Sequence, residues 1–415
     1  MDKPKIKFEL EIANGTLYGQ EEADAILQAL KDRAPSCAEK VKAFENDFAV
    51  FCGTKFALAV TSATAGLTLT GVAAGIKPGD EVITTPNSWI STATAFSVLG
   101  AEVKFCDVER DTLNLNPDLL ESLITPKTKA IIPVHLFGRC CRMDKIMEIA
   151  KRYNIIVIED CAHNPGGEYK GTRSGNLGTM GVFSFHQQKN MSTLGEGGMI
   201  TTNDEALYNK LFSYRSLCCR IYGQSTKYKS IDEFEHPMNK EYWKLYFDDF
   251  GYNFRMTDVQ ASVGIEQLKK LNYHNQRRIE LSGRLTQKLK AAKGLILPEN
   301  DPNGKHVWHL YMIQFTDEFP LTKKDFMWEL YTNKGIKAWS HYMPIHLTEP
   351  YLKQGHTKGE CPVMEEILDK FVTLPMHPGL TNSAIDYMAD CIIELSNSKF
   401  NRINENIRFA VKSVD

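Results

Sequence analysis

Between Gly181 and Gly198 the chain reads GVFSFHQQKNMSTLGEGG. An apolar, strand-like run, Val182 to Phe185, leads into a polar turn that carries Lys189. The glycine-rich turn Gly195-Glu196-Gly197-Gly198 then returns the chain to a second apolar run, Met199 and Ile200, ending in Thr201 and Thr202. A lysine on a tight loop between two buried strands is fixed in space. Partial burial can lower its pKa until it forms a Schiff base with an aldehyde. A solvated hairpin lysine looks the same in sequence, so other residues must decide between the two.

Three further groups lie at the carboxyl ends of predicted strands, where open parallel sheets bind ligands. The run to Ile158 ends in Glu159-Asp160; a carboxylate there can be held against a cationic ring nitrogen, or can simply cap a helix. The run Phe56 to Val60 passes through Thr61-Ser62-Ala63-Thr64-Ala65 into a helix, whose free N–H groups and nearby hydroxyls can cradle a phosphate. Ser and Thr also cap many helices. Trp89 follows the run Glu81 to Thr84 and the turn Pro86-Asn87; it can stack on a flat ring or pack in a core. Together, phosphate cradle, stacking aromatic, strand-end aspartate and loop lysine meet the requirements of pyridoxal 5′-phosphate (PLP). The lysine binds its aldehyde, the aspartate keeps its pyridine nitrogen protonated, and hydroxyls and N–H groups hold its phosphate. A nicotinamide cofactor is the rival for such a sheet. No G-x-G-x-x-G follows a strand with an acidic residue about twenty positions on.

The elements that must position these residues alternate. Strands are predicted at Phe56 to Val60, Glu81 to Thr84, Val103 to Cys106, Ala130 to Val134 and Ile155 to Ile158. Helices are predicted at Ala65 to Ala74, Ser91 to Leu99 and Asp144 to Tyr153. Near-continuous apolar strands alternating with helices imply βαβ units and a mostly parallel sheet buried on both faces. Glu21 to Lys31 and Ala38 to Phe51 place apolar residues three and four apart, as do residues 204–217 and 257–295. Beyond these, His306 to Phe315 reads as a strand, and Lys324 to Asn333 and Ala384 to Ser396 as helices. The expected organisation is a large α/β domain over 1–265 and a smaller α+β domain over 266–415. Cys218 to Phe250, rich in aromatics and charges without a period, reads as a surface insertion or as a lid over a substrate pocket.

The totals bound the function classes. The 415 residues are 43% hydrophobic and 24% charged with formal net charge -2, which describes an ordinary globular protein and argues against nucleic acid or an anionic membrane as the main partner. The uncharged run Phe56 to Ile76 is rich in Thr, Ser and Gly and reads as a buried strand-turn-helix. The first residues show no secretory signal. Ten cysteines without a CxxC point to reduced, structural thiols in a cytoplasmic protein, and no metal site is expected.

TSATAGL, IEDCAHNPGG, GVFSFHQQKNMSTLGEGGM, GYNFRMTDVQAS, HYMPIHL and LPMHPGL, spread from about Gly19 to Leu395, together resemble the DegT/StrS-type PLP-dependent sugar aminotransferases of the aspartate aminotransferase fold, fold type I. The resemblance implies a seven-stranded-type sheet sandwiched by helices. It implies that Lys189 binds the cofactor and shuttles the proton, that Asp160 pairs with the pyridinium nitrogen, and that His163 lies beside the ring. Trp89 would stack on the ring, and Ser62, Ala63, Thr64 and Ser184 would line the phosphate site. It implies a homodimer, because Asn253 would reach the phosphate of a neighbouring subunit, with Arg255 near the shared pocket. His341, Tyr342 and His346 would face the acceptor or the domain junction. Two features depart from the family: Ala63 replaces the usual glycine, and Cys218 to Phe250 exceeds the usual connector. The branch that performs dehydration replaces the lysine with histidine; Lys189 is present here. The implied reaction moves an amino group from glutamate or glutamine to a ketone of a sugar, first a nucleotide-linked one, with a ketocyclitol or a sugar phosphate as runner-up. A PLP-dependent dehydratase or racemase and a PLP-binding regulatory protein stay open as rivals.

Overall fold

A computed structural model describes residues 15–33, 36–219 and 245–398. Nine strands come first: β1 (Phe56–Val60), β2 (Glu81–Thr84), β3 (Glu102–Phe105), β4 (Thr128–Ile132), β5 (Ile156–Asp160), β6 (Glu168–Tyr169), β7 (Thr172–Arg173), β8 (Met180–Ser184) and β9 (Gly198–Thr202). Seven form one sheet in the order β1-β9-β8-β5-β4-β2-β3. Strands β3, β2, β4, β5 and β8 run parallel. Strand β9 runs antiparallel to both β1 and β8, so the expected parallel sheet carries one reversed member. β2, β8 and β9 are buried along their whole length, as strands covered on both faces are.

The crossover helices cover the sheet. The helix Ala63–Ala73 starts at Ser62, whose Oγ accepts from Ala65 N at 3.1 Å. It lies so close to the sheet that a side chain at Gly66 would meet Val182 at 2.8 Å. The uncharged run Phe56 to Ile76 is therefore β1 followed by this buried helix. Among the described residues no helix is long and apolar enough to cross a membrane. All ten cysteines are free, and nine are buried.

The helix Asp258–Leu289 spans 32 residues and opens with a capping box between Thr257 and Gln260. Its first half packs Ala261 and Leu271 against Phe44 and Phe48 of the helix Glu39–Cys52. Its second half puts Leu281, Leu285 and Leu289 into a separate core with Tyr311, Phe326 and Ile385. The division expected after residue 265 thus falls inside one continuous helix. Beyond it, β10 (Leu295–Ile296), β12 (Tyr311–Phe315) and β13 (Phe371–Leu374) form a second sheet, while β11 (Gly304–Lys305) returns to pair with β6. The helices Lys323–Lys334 and Asn382–Ser396 complete this part.

Several ends differ from expectation. The helix expected to 295 stops at Leu289. The strand expected from His306 begins only at Tyr311, because 306–310 is a buried loop in which Trp308 takes a left-handed φ of 48°. The short helices Glu349–Lys353 and Pro362–Ile367 and strand β13 were not anticipated. Of the insertion expected over 218–250, residues 220–244 lie outside the described residues.

Candidate active site

Strands β8 and β9 pair from Met180 with Thr202 to Ser184 with Gly198, and the loop between them carries Lys189. The loop closes on itself: Phe185 N donates to Gly197 O at 2.9 Å, Gln187 N to Gly195 O at 3.0 Å, and Lys189 N to His186 O at 2.8 Å. Gly15 N donates to Gln187 O at 2.8 Å, and any side chain at position 15 would collide with the carbonyl oxygens of Gln188 and Lys189. Beneath the loop, the buried Asn190 amide donates to Asn275 Oδ1 and to Val307 O, each at 3.1 Å. Lys189 is therefore held from several sides, as a lysine in a solvated hairpin would not be.

Burial lowers the Lys189 pKa to about 8, against the opposing pull of Asp160. Asp160 lies at the end of β5 and is 3% exposed. Its Oδ2 accepts from Thr92 Oγ1 at 2.7 Å and its Oδ1 from Ala162 N at 3.0 Å. Burial pushes its pKa up, while those two donors and the Lys189 ammonium pull it down. A carboxylate so placed gains from a cation beside it, which suits a protonated ring nitrogen. The neighbouring Glu159 has a different task. It accepts from Gly175 N (2.9 Å), Leu177 N (2.8 Å) and Gly178 N (2.7 Å), and shares 2.9 Å with His135 Nε2. His135 Nδ1 accepts from Cys141 N at 3.2 Å, so the proton sits on Nε2. Hence His135 and Glu159, although close enough to Cys161 to share a metal ion with it, already have their facing atoms committed to each other and to backbone N–H groups.

His163, 3% exposed, follows β5. Its Nδ1 accepts from Phe137 N at 3.4 Å, which leaves the proton on Nε2, 3.1 Å from the Tyr342 hydroxyl. Burial, then Lys189 and His341, hold its pKa well below the usual range, so the ring is neutral. Tyr342 comes from the second half of the chain and donates its N–H to Asn87 Oδ1 at 2.9 Å. His341 faces the same cluster; burial and Lys189 lower its pKa to about 3, and its Nδ1 lies 2.5 Å from Thr373 Oγ1. Trp89 is 62% exposed, with its ring edge-on to Tyr342 at 6.1 Å. His346 is elsewhere: fully buried, it shares 2.9 Å with Glu365 and packs against Phe105 at the junction of the two parts.

The first-turn N–H groups of the helix Ala63–Ala73 have no intrahelical acceptor. Thr64 is exposed and Ala63 half-buried there. Ala63 has no left-handed φ, so the methyl group that replaces a glycine hydrogen is tolerated. Gly198 is where close approach is required: a Cβ would lie 2.7 Å from Ser62 C and 2.8 Å from Ala63 N. Ser184, opposite Gly198, accepts from His186 N at 3.4 Å. The segment 253–255 runs alongside: Arg255 bridges Val60, Thr61 N donates to Phe254 O at 3.0 Å, and Asn253 is exposed. The structure therefore brings together Lys189, Asp160, His163, His341 and Tyr342, with Ser62, Ala63, Thr64 and Ser184 around the adjoining helix terminus; Arg255 bridges Val60, and the exposed Asn253 bridges Ser216 instead. The sequence reading missed Thr92, Asn190 and His309. Two histidines, His306 and His309, in the stretch that reads as a strand with partial alternation are the available signal.

Residues 17–393 match the family described as the DegT/DnrJ/EryC1/StrS aminotransferase family. The chain is 37% identical over 344 residues to GDP-perosamine synthase of Caulobacter vibrioides, covering 83% of this chain and 86% of that protein. It is 35% identical over 390 residues to the spore coat polysaccharide biosynthesis protein SpsC of Bacillus subtilis, covering 91% and 95%. Among solved structures, S. venezuelae DesV in complex with a ketimine intermediate is similar with a TM-score of 0.81 and 29% identity, over 91% of this chain and 95% of that one.

Proposed function

Because the chain belongs to the DegT/DnrJ/EryC1/StrS aminotransferase family of PLP-dependent transaminases, we propose that it moves an amino group from glutamate or glutamine to a ketone of a nucleotide-linked sugar, giving an amino sugar. The observation that carries this reading is the half-buried Lys189, its pKa drawn down to about 8, within electrostatic reach of Asp160 and a neutral His163. Similarity to GDP-perosamine synthase supports the nucleotide-linked acceptor.

When bound, PLP supplies an aldehyde that condenses with amines and a protonated ring that withdraws electrons. Lys189, Asp160 and His163 are the groups that act. Lys189 Nζ takes the proton from the donor α-carbon in the first half-reaction and delivers one to the acceptor carbon in the second, a role worth about 10² to 10⁴ in rate. Asp160, oriented by Thr92 and Ala162, accepts the hydrogen bond of the ring nitrogen. His163 would lie against the ring as a neutral group, and Trp89 would stack on the ring. Ser62, Ala63, Thr64 and Ser184 would bind the phosphate, completed by Asn253 of a neighbouring subunit in a cytoplasmic homodimer. Arg255, His341 and Tyr342 face the acceptor, while His346 supports the junction.

The test is the visible absorbance of the PLP-loaded protein on adding glutamate, then glutamine, followed by nucleotide-linked keto-sugars, a ketocyclitol and a keto-sugar phosphate. A donor-dependent loss of the band, restored by a nucleotide-linked keto-sugar with release of its amino sugar, is the expected result. A band that responds to neither donor, or is restored only by the ketocyclitol or the sugar phosphate, would sink the assignment.

A further inference from the structure

Behind His163 lies a second buried imidazole. His309 packs on His163 with ring centroids 4.2 Å apart and planes 37° apart. Its Nδ1 lies 3.0 Å from Asn190 Oδ1. Both donor positions of the Asn190 amide are taken, by Asn275 Oδ1 and Val307 O. The Asn190 oxygen therefore accepts, so His309 carries its proton on Nδ1 and leaves Nε2 bare. His163 has the opposite tautomer, accepting at Nδ1 from Phe137 N and donating from Nε2 to Tyr342. Asn190 is the residue after Lys189. A continuous line of contacts thus runs from the lysine loop through the Asn190–His309 hydrogen bond, the packed His309 and His163 rings, and the His163–Tyr342 hydrogen bond.

We infer that Asn190 and His309 form a positioning pair that fixes the plane of His163 relative to Lys189, and with it the seat of the cofactor between them. The inference rests on the reading that His163 faces PLP. Asn190, His309 and His163 are 1%, 4% and 3% exposed, so water cannot replace a lost partner. Removing the His309 Nδ1–H leaves Asn190 Oδ1 unpaired in the interior and frees both the loop and the imidazole stack to shift.

The experiment combines ¹⁵N-histidine spectra of the apoprotein with PLP titrations followed by visible absorbance and circular dichroism. The variants are His309→Phe, which keeps a ring, His309→Asn, whose amide nitrogen stands near the imidazole Nδ1, and His163→Ala. His309→Phe should raise the PLP dissociation constant about tenfold, alter the visible dichroism and shift the His163 ¹⁵N resonances, whereas His309→Asn stays within about twofold of wild type. A folded His309→Phe with wild-type PLP affinity and unchanged His163 resonances overturns the inference alone. If His309→Phe does not fold, the wild-type spectrum decides, because an Nε2–H tautomer for His309 or an Nδ1–H tautomer for His163 overturns it too. His163→Ala binding PLP as tightly as wild type would instead sink the underlying reading of His163, and the inference with it.

Discussion

The Tyr342 hydroxyl, from the second half of the chain, meets Nε2 of His163, just after β5, at 3.1 Å. The His163 proton points at the tyrosine oxygen, so the hydroxyl hydrogen is left to turn elsewhere. Tyr342→Phe leaves a buried N–H without its acceptor. We expect PLP binding to weaken by about 1–3 kcal/mol, measured by titration of the apoprotein. Unchanged affinity would place His163 outside the cofactor's surroundings.

Lys189→Ala should abolish the donor half-reaction while the protein still folds. It should also stabilise the apoprotein at neutral pH. The Lys189 pKa is lowered in the folded state to about 8. Below that pH both states carry the proton, and the folded state bears the cost of burying it. Between about 8 and the ordinary lysine value of about 10.4, the unfolded chain binds more protons and wild-type stability rises with pH. Denaturant titrations should therefore show the advantage of Lys189→Ala shrinking as pH rises through that window. Turnover at the wild-type rate would remove Lys189 from the mechanism.

The same pKa sets a kinetic expectation. Only the neutral amine attacks an aldehyde. Stopped-flow capture of PLP by the apoprotein should accelerate as pH rises towards about 8 and level off above it. A rate still climbing steeply at pH 10 would mean that burial does not perturb the lysine.

Gly198→Ala tests the seat of the helix terminus. The added methyl would lie 2.7 Å from Ser62 C and 2.8 Å from Ala63 N, both backbone atoms that cannot swing away. The helix start or β9 must move, at a cost of about 1–3 kcal/mol. Thermal melts and PLP affinity should both fall; a silent substitution would show that the terminus has slack.

Arg215 and Glu45 form a buried pair at 2.5 Å, with Arg215 Nη1 also donating to Ala59 O at 2.9 Å. The pair backs β1, which leads to Ser62 and Ala63. Arg215→Met strands a carboxylate whose pKa burial already raises. Loss of about 3–5 kcal/mol in denaturant titrations is expected at neutral pH, with partial recovery in Arg215→Met/Glu45→Leu. No recovery would mean that packing, not charge, sets the cost.

How much of this could be read from the chain depends on the range of the contacts. Strands β1 and β2 match the predicted ranges to the residue, because short runs with an apolar centre, Phe56 to Val60 and Val82-Ile83, are bounded by turn chemistry. The positions of Lys189 and Asp160 followed from local pattern: Asp160 ends β5, and Lys189 lies on the loop between β8 and β9. The role of Thr92 did not: its hydroxyl meets Asp160 only because β2 and β5 flank β4, and nothing near Thr92 announces a partner 68 residues away. His309 was hidden for a related reason. Its neighbours Val307, Leu310 and Tyr311 imitate a strand, and the left-handed turn at Trp308 that aims the imidazole inward leaves no periodic trace. His346, expected from its place in HYMPIHL at the acceptor or the domain junction, is held at the junction by Glu365 and Phe105.

The helix Asp258–Leu289, anchored in one core at its start and in the other at its end, is a rod about 48 Å long. It acts mechanically as an axle. A hinge needs a few residues that can absorb a large change of backbone angle, and an unbroken helix offers none along its length. Bending between the halves at this connection would have to break helical hydrogen bonds. The register between Lys189 on one side and His341 and Tyr342 on the other is thus built in when the chain folds. Adjustment to acceptors of different size falls to the loops around the rod.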